Sequence, residues 1–147
     1  MTGTALYHIV YVSDATRPFG RQELQALLSR SRDNNQRAGI TGILLHKADR
    51  FAQVLEGEEA AVCRLYDTIS RDDRHHRVAI LEQGPVARRD FPDWSMGFQD
   101  LSDADLLGLY DTTRPLGKAL DIEGFRADPA ACLHGLRFLR DLQLTRG

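Results

Sequence analysis

The apolar residues of this chain switch between a period of two and a period of about 3.6 in a set order, and that order leaves few topologies open. Leu6-Tyr7-His8-Ile9-Val10-Tyr11-Val12 is dense in β-branched and aromatic residues, the composition of a strand. A loop comes next from Ser13 to Gly20, broken by Pro18 and Gly20, and then Leu24, Leu27, Leu28 and Ser31 recur at helical spacing. That helix is expected to end near Asn34-Asn35, because Gly39 and a new strand come next. Ile40–His46 and Phe51–Glu56 read as two strands joined by the hairpin-sized loop Lys47-Ala48-Asp49-Arg50. Glu56-Gly57-Glu58-Glu59 reads as the acidic first turn of a second helix, whose buried stripe is Val62, Leu65, Tyr66 and Ile69. Val78–Gln83 makes a fourth strand, and Trp94–Phe98, after Pro92, a fifth.

The order β-α-β-β-α-β-β begins with the ferredoxin-like split-βαβ pattern, an α+β fold with both helices on one face of an antiparallel-rich sheet. The remainder reads as helical. Ser102 can cap a helix carrying Leu106, Leu107, Leu109 and Tyr110. Asp128-Pro129 is a start signal for a last helix with the stripe Leu133, Leu136, Leu139 and Leu142. A sheet has two faces, so this tail is expected to cover the one the first two helices leave bare. The division is therefore residues 1–100 as the sheet-bearing unit and 101–147 as a helical cap within the same compact body.

Composition narrows the function classes. The chain has 147 residues, enough for one domain with a real core, and 19 basic against 21 acidic residues give a net charge of −2. No polybasic field for nucleic acid or anionic lipid is present. No apolar stretch is long enough for a membrane span, and the first residues lack a secretory signal. Cys63 and Cys132 stand far apart and read as free thiols, which points to a cytoplasmic location. Phosphate loops, dinucleotide fingerprints, zinc-protease and hydrolase elbow motifs are absent. Adjacent His75-His76 point apart on any regular element, so no metal site is expected.

Three polar placements do not suit a plain core. Tyr11 shares a strand face with Tyr7 and Ile9, and Gln53 lies between Phe51 and Leu55 on one face of its strand. Asn34 and Asn35 close the first helix next to that sheet, with Ser31 one turn before. If these faces are interior, a phenol and several amides meet in an apolar setting, where each unpaired group costs roughly 1–3 kcal/mol. Each also has a plain reading: Tyr11 as a core tyrosine with its hydroxyl at the surface, the Asn pair as a helix C-cap, Gln53 as a solvent-facing amide. Periodicity alone does not choose the inner face and names no ligand.

At these residues the chain closely resembles the BLUF family, blue-light sensors using FAD. The stretches that carry the resemblance are Leu6–Ser13, Ser31–Asn35, Gly39–Leu45, Phe51–Gly57, Asp72–His75 and Phe91–Phe98, in the family's order and spacing. The resemblance implies a flavin held non-covalently between the two helices, FAD with FMN also compatible. It implies Tyr11 as the photoactive tyrosine and Gln53 as the glutamine between it and the flavin. Ser31, Asn34, Asn35, Ile40, Phe51, Arg74 and His75 fall on the family's cofactor-side positions, with Arg74 and His75 at the ribityl and phosphate end. Trp94 and Met96 match the residues that exchange places near the glutamine. A phenol can give an electron together with its proton, and a glutamine, with one acceptor and two donors, can relay the proton and then present a different hydrogen-bond pattern.

Three positions depart from the common pattern: Ala52 where a bulkier residue is usual, Asp49-Arg50 in place of a glycine before Phe51, and His8 where arginine is frequent, on the face opposite Tyr11. None touches Tyr11, Gln53 or Asn35. A tail on the far face would make the fifth strand, carrying Trp94 and Met96, a mechanical link from the flavin pocket to the C-terminal helices. The expected role is a stand-alone photoreceptor, not an enzyme, that relays a red-shifted signalling state to a separate effector protein and forms a homo-oligomer. The alternative is a small ferredoxin-like hydrolase of acylphosphatase type, for which Ser13-Asp14-Ala15-Thr16-Arg17 is a poor phosphate loop.

Overall fold

The computed structural model describes residues 5–17, 20–47, 49–100 and 122–146. Its elements run β1 Leu6–Ala15, α1 Arg21–Ala38, β2 Thr41–Lys47, β3 Arg50–Glu58, α2 Glu59–Ser70, β4 His75–Val86, β5 Gly97–Asp100, α3 Ile122–Ala127 and α4 Pro129–Arg146. The sheet order is β4-β1-β3-β2-β5. β1 lies between β3 and β4, antiparallel to both, and β5 joins β2 in parallel at the edge. This is the α+β arrangement expected from the element order.

Strict alternation along the strands sorts the core into two layers. Ile9, Tyr11, Leu44, Phe51 and Leu55 face α1 and α2, where they meet Leu24, Leu28 and Val62. Val10, Val12, Ile43, Leu45, Ala52 and Val54 face the other way, onto Ile122, Phe125, Cys132, Leu133, Leu136 and Leu139 of α3 and α4. The described part of the tail, α3 and α4, therefore covers the second face, as expected, and Ala52 is fully buried beneath it. Cys132 lies in this layer, where burial, with the nearby Glu82, pushes its thiol up to about 12. Polar ties fix the cap at its rim. Arg126 donates to Arg77 O at 2.8 Å, and Arg140 donates to Asp90 O at 2.9 Å.

Several boundaries differ from the sequence reading, each for a local reason. α1 runs past Asn34-Asn35 to Ala38 and is ended by Gly39, whose φ of 70° is the left-handed cap and whose N–H bonds Asn35 O. The asparagines thus sit inside the last turn and do not form the cap. α2 begins at Glu59, not Glu56, because Glu56 and Gly57 remain paired to His8 and Tyr7 of β1. β5 begins only at Gly97, so Trp94 and Met96 precede the strand. The short α3 was not expected, since Ile122-Glu123-Gly124-Phe125 carries a glycine and no start signal. The helix expected after Ser102 lies outside the described residues. Asp49 supplies the hairpin turn itself, with φ 60°, a conformation aspartate tolerates better than most residues.

β4 is a twelve-residue edge strand with broken pairing. Its register to β1 shifts twice, between Val10 and Tyr11 and between Val12 and Asp14, and Arg77 has φ 52°, while Gly84-Pro85 stays paired with His8 and Tyr7. Among the described residues, no helix is long and apolar enough to cross a membrane.

Candidate functional site

The helix-side layer contains two polar side chains that an apolar core would not select. Tyr11 and Gln53 face each other across β1 and β3. Both are buried, and the Tyr11 hydroxyl donates to Gln53 Oε1. The Gln53 amide donates its Nε2 hydrogen to Met96 Sδ at 3.2 Å. Tyr66 of α2 meets the Tyr11 ring edge-on, with centroids 5.4 Å apart. Burial, with Tyr66 beside it, raises the Tyr11 phenol well above its ordinary value, so it remains an O–H donor throughout the working pH range.

α1 contributes the next group. Asn35, on its inner face, is buried and donates Nδ2 to Ser95 O at 2.7 Å. Arg32 donates Nε to Met96 O at 2.9 Å. Two side chains of one helix thus grip the segment that carries Met96. Ser31 is half-buried, whereas Asn34 is exposed on the outer side of the helix and does not join the interior cluster. Ile40 and Phe51 are buried in the same layer as Tyr11.

Phe51 leads to a second group at the far end of the strands. Its ring lies between His46, at 4.9 Å, and His75, at 5.2 Å. His75 Nδ1 is 3.0 Å from Ser13 Oγ, and burial lowers its pKa, favouring the neutral ring. Arg74 beside it forks onto Asp72 with contacts of 2.6–3.2 Å. That fork holds the Asp72 carboxyl down at about 2. The structure therefore brings Tyr11, Gln53, Met96 and Asn35 together, and sets Arg74, His75 and Ser13 as a separate polar end.

Trp94 is elsewhere. Residues two apart on a strand share a face, but 94–96 precede β5 and are not extended strand. Trp94 packs against the tail-side layer, stacked on Phe91 at 6.1 Å, while Met96 is buried in the helix-side layer. The expectation that both lie on strand five is corrected accordingly, and Met96 is the residue against Gln53. Sequence reasoning missed Arg32, Arg89 and Glu56. Glu56 is fully buried, accepts from the backbone of Asp90 and Phe91, and is flanked by Arg89, which donates to Glu56 O, Thr41 Oγ1 and Gly39 O. An acid at a position that alternation turns inward is the signal that could have found it. Among the described residues no group of three metal-ligating side chains converges, and Cys63 and Cys132 are free thiols.

The model of the family described as sensors of blue light using FAD, BLUF, matches residues 6–97. The chain belongs to the BLUF family. Photoactivated adenylate cyclase subunit beta of Euglena gracilis is 38% identical to it over 94 residues, 63% of this chain and 11% of that protein. The chain thus spans about a tenth of the length of that curated relative. Among solved structures, the dark state of the BLUF protein BlrB is 32% identical with a TM-score of 0.63, covering 76% of this chain and 88% of that one. Klebsiella pneumoniae BlrP1 with FMN and cyclic diGMP is 36% identical with a TM-score of 0.62, covering 74% and 30%. Membership and fold together make this BLUF chain a blue-light, flavin-using photosensor.

The residues present fit a flavin. Gln53 spends an amide N–H on a thioether, the weakest acceptor among the polar side chains, so a better acceptor would be preferred in its place. α1 and α2 both pack on the sheet face that carries Tyr11, through Leu24 and Leu28 and through Val62, so a ligand seated between them would meet Tyr11 and Gln53.

Proposed function

We propose that this chain binds one flavin non-covalently between α1 and α2, FAD by preference, and that Tyr11 and Gln53 carry its light response. The observation that supports this reading most is the buried Tyr11–Gln53 hydrogen bond, with Met96 as the second partner of the glutamine. When bound, the flavin supplies blue-light absorption and an excited state that takes an electron and a proton from a phenol. Tyr11 is suited to give both, because its raised pKa keeps the proton on oxygen until the electron leaves. Gln53 is suited to pass the proton on and to return it by another geometry, by rotation or tautomerisation. The lasting change is then confined to hydrogen bonds around Gln53, with no substrate turned over.

Asn35, Ser31, Ile40 and Phe51 would border the ring, and Arg74 and His75 the ribityl and phosphate end. Asn34 would reach the ligand only if its exposed side chain turned inward. The hydrolase alternative gains nothing from the geometry. Its one arginine, Arg17, is forked onto Glu23 at 2.6 and 3.0 Å, and Ser13 is engaged by His75. We further propose that output passes through residues 94–96 to the tail and on to an effector, that copies of the chain associate, and that residues 101–147 form one body with the sensor. Two free thiols support a reducing, cytoplasmic setting.

The test is spectroscopic. Purified protein should be yellow, its absorption should shift red under blue light, and it should recover in the dark. Tyr11→Phe should keep the flavin bound and lose the red-shifted state. A Tyr11→Phe protein that still cycles would show that the donor is another residue. Chromatography of the released flavin decides between FAD and FMN.

A further inference from the structure

We propose that Glu56 is a positioning residue for the rearrangement of Gln53, acting by holding residues 89–96 so that Met96 meets the glutamine. The proposal rests on the proposed light response, in which Gln53 changes its hydrogen bonds. Glu56 is fully buried on β3, three residues after Gln53 and therefore on the opposite sheet face. A buried carboxylate is costly unless it is richly hydrogen-bonded. Here it is: Oε2 accepts the Asp90 N–H at 2.6 Å, and Oε1 accepts the Phe91 N–H at 2.9 Å and the Thr41 hydroxyl at 2.9 Å. Bonds to a charged acceptor are the stronger kind, and two consecutive amides on one carboxylate fix the direction of the backbone as well as its place.

Between Phe91 and Gly97 the chain has no strand ladder, so its course is set by such holds. Gly42 N–H bonds Trp94 O at 3.1 Å, Asn35 bonds Ser95 O, and Arg32 bonds Met96 O. The segment is pinned by Glu56 on the tail side of the sheet and ends at Met96 on the helix side. Asp90 is also the attachment point of α4, through Arg137 at 3.0 Å and Arg140. Glutamate suits this place because both its oxygens accept and neither donates. Glutamine would set an N–H₂ group against the Asp90 or Phe91 N–H, and aspartate would fall a methylene short.

The experiment uses the flavin-loaded protein, with Glu56→Gln compared to the unaltered chain. Dark recovery of the red-shifted state, the melting temperature and emission from Trp94, the chain's one tryptophan, are read together. The expected result is recovery accelerated at least threefold, with Trp94 emission moved to longer wavelength. A lowered melting temperature with recovery changed less than threefold would mean that Glu56 only stabilises the fold, and would overturn the proposal. Should Glu56→Gln fail to fold, hydrogen exchange on the unaltered protein decides. The Asp90 and Phe91 amides should exchange at least tenfold more slowly than that of Arg88, and a smaller difference overturns the hold itself. If the unaltered protein shows no red shift, the reading of Gln53 fails and takes this proposal with it. If it does shift, Tyr11→Phe abolishes the shift and Glu56→Gln leaves recovery unchanged, only this proposal fails.

Discussion

Leu136→Ala tests whether α4 is part of the same folded unit as the sheet. Leu136 is fully buried, in one cluster with Val10, Val12 and Val54 of the sheet. Truncation removes its transfer free energy and leaves a cavity that the rigid sheet cannot close, so the cost should be about 2.7–5 kcal/mol. At roughly 3–4 °C per kcal/mol for a chain of this size, the melting temperature should fall by roughly 8–20 °C. Urea unfolding followed by Trp94 emission is the direct assay, because Trp94 packs against this same cluster. One cooperative transition, moved to lower urea with an unchanged slope, is expected, while the flavin spectrum stays as it was. A loss below about 0.5 kcal/mol, the range of ordinary surface substitutions, would refute the burial argument. A change in Trp94 emission at low urea, ahead of a second transition in which the strand signal of the circular dichroism is lost, would show that the cap melts by itself.

Two more expectations arise from particular contacts. In Gly42→Ala the new methyl would meet Val54 O at 1.9 Å, a backbone atom that cannot step aside, so stability should drop by about 1–3 kcal/mol or more; a melting temperature within about 2 °C of the original would contradict this packing. Because the folded protein holds the Tyr11 proton above the usual tyrosine range, the unfolded chain binds fewer protons above about pH 10 and stability falls as pH rises there, while below it this group contributes no slope. The light-induced shift should accordingly stay constant from about pH 6 to about pH 9.5. A sigmoidal loss of the shift within that window, traced to Tyr11 ionisation, would contradict the buried phenol.

The strands and the first two helices could be read from the chain because alternation and helical period are local signals that the final packing reinforces. Tyr11 and Gln53 could be singled out as polar residues on strand faces, yet only the fold shows that both faces are inward and in register. The start of α2 was misplaced because an acidic run resembles a helical first turn, and the partners that keep Glu56 in place lie about 35 residues further on. Likewise, Trp94 and Met96 look like neighbours on one face until it is known that their pairing strand begins at Gly97. Asn34 and Asn35 look alike in sequence, and a step of one residue around α1 exposes the first and buries the second. What escapes the sequence is in each case a contact between distant segments.

The irregular β4 has a consequence for how copies of this chain can meet. An edge strand offers a row of backbone donors and acceptors to any passing strand, and a long flat one invites sheet-to-sheet fusion. Here the edge strand departs from a flat ribbon, with two register shifts against β1, a left-handed arginine and a proline that has no N–H to give. Among the described residues the opposite edge, β5, offers four. Neither rim is a good template, so a sheet carried at high concentration should resist growing into fibrils. Self-association of the described body would have to be written in side chains, on its helices and turns, where single substitutions can tune it.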